Sequence, residues 1–99
     1  MTRFVAIFED NVGFDWVRRD HSGEHLAFLE ANKTRIVLAG ALRPGVDEHP
    51  SGGLWIFDVA SADEAIALIE SDPYFKLGLR KSYDLRVWGK PPFYGAVTL

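Results

Sequence analysis

Residues 54–73 read LWIFDVASADEAIALIESDP, a stretch that holds both kinds of element from which the fold is made. Positions 54–59 are aromatic, β-branched or aliphatic apart from one aspartate, which is the composition of a strand. Ser61-Ala62-Asp63-Glu64 then has the S-x-x-E form of a capping box. The serine hydroxyl accepts the backbone N–H three residues on, and the glutamate reaches back to the start of the helix. Ala62, Ala65, Ile66 and Ile69 recur at helical spacing and mark the buried stripe. Asp72-Pro73 stops the helix, because a proline ring disfavours helical backbone in the residue before it.

The flanking sequence repeats this alternation. RFVAIFE (3–9) and KTRIVLAGAL (33–42) read as strands, and the segment between them, 17–31, turns helical with Leu26 and Leu29 facing inward. RPGVDEHPSGG (43–53) is a loop dense in Pro, Gly and Asp. YDLRVW (83–88) is a fourth strand, and GKPPFYGAVTL (89–99) is an extended tail held locally by two prolines. The order β-α-β-β-α-β predicts an α+β, ferredoxin-like fold, with two helices on one face of a four-stranded antiparallel sheet. Residues 1–99 are expected to form one domain, of a size that supports one modest core.

The other sheet face is expected to be polar if it meets water. It is not polar. Val5 and Ile7 oppose Phe4, Ala6 and Phe8; Leu54 and Ile56 oppose Trp55, Phe57 and Val59. On the second strand Ile36, Leu38 and Leu42 oppose Val37, Ala39 and Ala41, and only Asp84 and Arg86 on the fourth are clearly polar. Two helices cannot cover two apolar faces, so the expectation is a homodimer packed sheet to sheet. The alternative is a tail that folds back over the open face.

Composition narrows the classes. The chain is 47% hydrophobic with net charge -3, and its charges are dispersed, so there is no basic stripe of the kind nucleic acid demands. It has no cysteine, which removes disulfides, thiol nucleophiles and thiolate metal sites. The apolar run at residues 4–8 is too short for a signal segment or a membrane span. A cytoplasmic protein is expected, without nucleic-acid or membrane partners.

DHSGEHLAFL (20–29) places two of the three histidines four residues apart. Asp20 or Ser22 suits an N-cap and Glu24 a first turn, but capping does not account for His25, which shares a face with Leu29. His21 and His25 at i and i+4 could share a metal ion, although no third ligand or HExxH motif accompanies them. An imidazole at an apolar wall can also transfer protons if a carboxylate orients it. Asp72 stands out, since an aspartate at a helix C-terminus is electrostatically unfavourable and a simple turn is its ordinary explanation. On the residues alone, a structural histidine ranks ahead of a catalytic one. Trp55 and Trp88 read as core or interface aromatics, His49 as a solvated loop residue, and Gly52-Gly53 as a bulge or a loose strand start.

A set of short motifs adds to this. Phe4-Val5-Ala6-Ile7-Phe8-Glu9-Asp10 is followed by Arg18 seven residues before His25-Leu26, then by Ala39-Gly40 and Gly53. Ala60-Ser61 with Glu64-Ala65, Asp72-Pro73-Tyr74 with Gly78-Leu79, and Leu85-Arg86-Val87-Trp88 complete the series. In this order and spacing the chain resembles the YCII-related (YciI-like) family of small dimeric α+β barrel proteins, over nearly its whole length up to Trp88. The resemblance implies a ferredoxin-like fold dimerised through its sheets. It also implies that His25 and Asp72 meet in a cleft as a His-Asp dyad, His25 as acid or base and Asp72 as its orienter. Arg18 would lie near the mouth and hold an anionic group, with Arg19, Ser22, Gly40 and Tyr74 as further cleft residues. The chain departs from the family pattern at Ser22, where an arginine is usual, and at Gly40-Ala41, where Gly-Pro is usual. The first departure would weaken anion binding or shift it to Arg18 or Arg19.

The expected function is therefore a small cofactor-free enzyme doing acid/base chemistry, of lyase, isomerase or hydrolase type, on a small cyclic or aromatic acid. The alternative is a non-catalytic ligand-binding or dimerisation module, in which His25 lacks a close carboxylate. A cofactor-free or haem-linked oxygenase of related architecture rests on fold analogy alone.

Overall fold

Strict alternation along the first strand sets the two faces of the sheet: Phe4, Ala6 and Phe8 are buried, while Ile7 between them is 45% exposed. The computed structural model describes residues 1–96. Its elements are β1 (Thr2–Asp10), α1 (Asp15–Ala31), β2 (Ile36–Leu42), β3 (Gly52–Val59), α2 (Ala62–Ser71), α3 (Pro73–Lys76) and β4 (Arg80–Val87). The strands form one antiparallel sheet in the order β2-β3-β1-β4, a ferredoxin-like arrangement. The core joins Phe4, Ala6 and Phe8 of β1 and Trp55, Phe57 and Val59 of β3 to Ala65, Leu68 and Ile69 of α2, with Phe28 and Leu29 of α1 packed against it. Val17, Tyr74 and Leu79 make a second cluster under the start of α1.

The capping box forms: Ser61 Oγ accepts the Glu64 backbone N–H at 3.2 Å, and Glu64 Oε2 accepts the N–H of Ala60 at 3.1 Å. The buried stripe of α2 keeps Ala65 and Ile69 but differs from expectation at three positions: Leu68 lies inward, Ala62 is exposed and Ile66 half-buried.

Four further differences bear on the site. Helix α1 begins at Asp15, not Val17, and has no side-chain N-cap; Asp20 and Ser22 lie in its interior. Gly13, at φ 85°, supplies the left-handed turn that starts the helix early. Leu26, expected inward, stands 61% exposed at the rim of the cavity described below, and His25 is buried. The short helix α3 follows α2 directly. The register of β2 shifts between Ile36 and Leu38, so these two residues face opposite sides instead of sharing one. Finally, β4 starts at Arg80 rather than Tyr83.

The middle of the outer sheet face is apolar. Val37, Leu38 and Leu42 join Ile7 there, each more than a third exposed, with polar residues such as Arg3 and the Asp84–Arg86 pair toward its margins. The described tail turns at Pro91–Tyr94, closed by the Tyr94 N–H on the Pro91 carbonyl at 3.2 Å, so it is not extended throughout. Residues 97–99 of that expected tail lie outside the described residues. Tyr94 and Ala96 border, with Arg3, Leu38, Ile56 and Trp88, an open cavity of about 710 Å³ on this face, which the tail does not seal. Among the described residues no helix is long and apolar enough to cross a membrane.

Candidate active site

His25 sits on the inner face of α1, 8% exposed, beneath a rim of polar residues. Its Nδ1 lies 2.7 Å from Asp72 Oδ1, across 47 residues of sequence. With the carboxylate as acceptor, Nδ1–H donates and Nε2 is left as the nitrogen available for proton transfer. The ring is held on both sides. Tyr74 stacks on it at 3.8 Å between centroids and 6° between planes, and Trp55 lies 6.2 Å away at a tilt of 32°. A partnered, clamped imidazole is not what the ligand-binding alternative expected of His25.

The position of Asp72 has a local cause. It is both the residue that ends α2 and the N-cap of α3, and its Oδ1 accepts the Tyr74 N–H at 3.2 Å. Pro73 forces Asp72 into extended backbone (φ −68°, ψ 133°) and supplies the first residue of α3. An aspartate is unfavourable at the end of α2 but favourable at the start of α3. Here the turn explanation and the histidine partner coincide, because one oxygen serves both.

Arg18 lies about two turns before His25 on the same face of α1. Its guanidinium donates to Asp10 Oδ2 at 2.9 and 3.2 Å and to the Gly52 carbonyl at 2.9 Å. Asp10 also accepts from Arg80, whose Nη1 reaches its Oδ1 at 2.9 Å. Glycine is required at 52 because a Cβ there would stand 2.2 Å from the Phe8 carbonyl oxygen. The tight contact between β1 and β3 brings Arg18 within reach of both acceptors.

Arg18, Ser22, His25, Gly40, Tyr74 and Arg80 line one cavity of about 200 Å³, with Leu26, Leu29, Ala39, Ala41 and Trp55 as its apolar walls. Five of the residues expected at the site besides Asp72 are thus brought together. Arg19 is not. It is solvent-exposed and pairs with its neighbour Asp20 at 3.1 Å, a hydrogen bond that raises its already high pKa. Its place next to Arg18 in the helix turns it about 100° away. His21 pairs with Glu24 at 2.9 Å on the exposed side, so the two histidines turn to different partners. Among the described residues no group of three or more His, Asp or Glu side chains is placed to hold a metal ion. His49 is exposed, as expected, and Trp88 borders the outer-face cavity rather than this one.

Asp10 and Arg80 were missing from the expected site. For Asp10 a signal existed: it continues the inward parity of Phe4, Ala6 and Phe8, and a carboxylate on a core face needs a cation. For Arg80 the signal was masked. The β1–β4 register shifts between Glu9 and Asp10, so that Arg80 and Tyr83 both face inward although three residues apart.

Burial pushes the Tyr74 phenol above its ordinary pKa of 10.0, a rise that the charge of Arg18 opposes and that of Asp72 reinforces. A folded-state pKa above the unfolded one contributes stability below the unfolded value and loses it as pH climbs through the folded one. Ultraviolet titration should therefore show one of the three tyrosines ionising above pH 10, with stability falling in that range. Tyr74→Phe should remove both effects. A delayed ionisation that persists in the variant would contradict the assignment.

Comparison with known proteins places these features in context. The family described as the YCII-related domain matches residues 2–89. The structure resembles that of 5-chloro-2-hydroxyhydroquinone dehydrochlorinase (TftG) from Burkholderia phenoliruptrix AC1100 in complex with 2,5-dihydroxybenzoquinone. The TM-score is 0.83 at 27% identity, covering 94% of this chain and 99% of that one. It is also similar to protein Atu4242 from Agrobacterium tumefaciens, at a TM-score of 0.46 and 10% identity over 94% of this chain and 96% of the other. No curated protein matches the chain.

Proposed function

Because this chain belongs to the YCII-related family, we propose that it is a small-molecule enzyme that moves a proton on a small cyclic or aromatic acid. In this reading His25 is the acid/base group, acting through Nε2, and Asp72 orients it and stabilises the imidazolium that forms. Arg18 holds the anionic group of the substrate, and Ser22, Gly40 and Tyr74 shape the cavity. The observation that carries the reading is the 2.7 Å contact between His25 and Asp72 at the wall of a small cavity. A carboxylate fixes the tautomer of such a histidine and supports the charge it gains. The dehydrochlorinase, similar over its whole length, supports a lyase reaction on a hydroxylated ring.

The test starts from that relative's substrate. Wild-type protein is incubated with 5-chloro-2-hydroxyhydroquinone, chloride release is measured, and solvent-deuterium uptake into ring C–H positions of related hydroxyquinones is followed by NMR. Chloride release or deuterium uptake above the protein-free control supports the reading. If neither occurs with any small ring acid, the acid/base assignment falls.

The same reading includes a homodimer formed through the open sheet face, where Ile7, Val37, Leu38 and Leu42 lie exposed. Light scattering should return about twice the 11.1 kDa chain mass, and Ile7→Glu should return the chain mass alone. A monomeric wild type would contradict it.

A further inference from the structure

Arg80 is the most buried cation of the site, its side chain 3% exposed. Among the described residues its one hydrogen bond is the Nη1 contact to Asp10; Nε is buried with no acceptor. The guanidinium carbon lies 4.4 Å from the centre of the Phe8 ring and 5.5 Å from that of Tyr74, within cation–π range of both. The absence of a side chain at Gly53 makes the room, since a Cβ there would stand 3.3 Å from Nη1 and 3.4 Å from Nη2.

The donors outnumber the acceptors locally. Asp10 is shared between Arg18 and Arg80, one carboxylate for two guanidinium groups. Asp72 is occupied by His25 and the Tyr74 N–H. With a neutral imidazole the two guanidinium groups and two carboxylates cancel in charge, but neither carboxylate reaches the Arg80 Nε. Burial lowers the pKa of Arg80 and Asp10 opposes that, so the charge is kept there against a desolvation cost. A buried cation with donors to spare, fixed beside a cavity, is arranged in advance for an anion that enters. The cavity, about 200 Å³, falls below the ~300–1,000 Å³ of pockets for drug-sized ligands, which limits the occupant to one ring.

We infer that Arg80 is a specificity-determining residue of this cavity, selecting a planar single-ring monoanion over its neutral counterpart. The inference takes the location of the site from the reading above but not the role of His25. Arg18 and Arg80 form a two-cation wall braced by Asp10, and His25 faces the same space.

Benzoate and benzamide are the probes, equal in ring and nearly equal in size but different in charge. Their affinities for the full chain are measured calorimetrically, and the arginine Nε–H signals are followed by NMR; burial protects the Arg80 Nε–H from solvent exchange. Wild type should prefer benzoate by about tenfold or more, the scale of one charged hydrogen bond. Benzoate, and not benzamide, should shift the Arg80 Nε–H signal. Arg80→Met should cut the preference by about threefold or more, leaving what Arg18 supplies and weakening benzoate more than benzamide, and Arg80→Lys should retain more of it. A full preference in Arg80→Met, or an Arg80 signal unmoved by benzoate in wild type, overturns the inference; the second readout decides even if the Met variant fails to fold. His25→Gln keeps the two readings apart. Loss of turnover with an intact benzoate preference is expected. Retained turnover sinks the acid/base reading without touching Arg80, and an undiminished preference in Arg80→Met does the reverse.

Discussion

His25→Gln is expected to lower turnover by about 10²–10⁴-fold, the usual worth of a positioned acid/base group, with little change in stability. Glutamine puts an amide at the Nε2 end of the ring, while Asp72, 2.7 Å from Nδ1 in the native chain, keeps its bond from the Tyr74 N–H. It cannot exchange a proton near neutral pH. The loss should fall on kcat more than on KM, because Arg18 and Arg80, proposed above to hold the anion, stay in place. Thermal melting of the variant establishes that the fold is intact. If kcat stays within about twofold of wild type, His25 is only a packed, satisfied side chain and the proton must be moved by another group.

Asp72→Ala should produce the largest loss of stability of any single change at the site. Its carboxylate is 1% exposed and accepts from both the His25 ring and the Tyr74 N–H. Removing it deletes the cap of α3 and leaves two buried donors unpaired, together about 2–4 kcal/mol. For a chain of 99 residues this is a melting shift on the order of 10–25 °C. Asp72→Asn divides the two roles. The amide oxygen can still cap α3, so most of the stability should return. A neutral amide does not support an imidazolium, so turnover should stay low. A melting shift in Asp72→Ala below about 3 °C would show that the carboxylate contributes no net stability and that α3 holds without its cap.

The parts of the fold that announce themselves in the sequence are those with strong local chemistry. The S-x-x-E box at Ser61–Glu64 and the alternation of Phe4, Ala6 and Phe8 each arise from a few neighbouring residues and act as written. His25 and Asp72 could be named as candidates, but their contact spans 47 positions and no local pattern encodes it; the family resemblance supplied it. What escaped notice depended on irregular geometry. One residue of slip in β4 turns Arg80 inward, and simple alternation assigns it to the wrong side. A slip in β2 likewise separates Ile36 from Leu38. In α1, His25 lies on the inward side where its spacing to Leu29 puts it, while Leu26, expected inward, stands 61% exposed.

The pairing of Asp10 with Arg80 joins positions 70 apart, through a strand at the edge of the sheet. β4 is hydrogen-bonded to the sheet on one side only, which makes its local opening easier than that of β1 or β3. The core of β1, β3 and α2 can therefore stay packed while the second guanidinium leaves its seat. If Arg80 selects for charge as inferred above, recognition would be among the first properties to vanish when that edge frays.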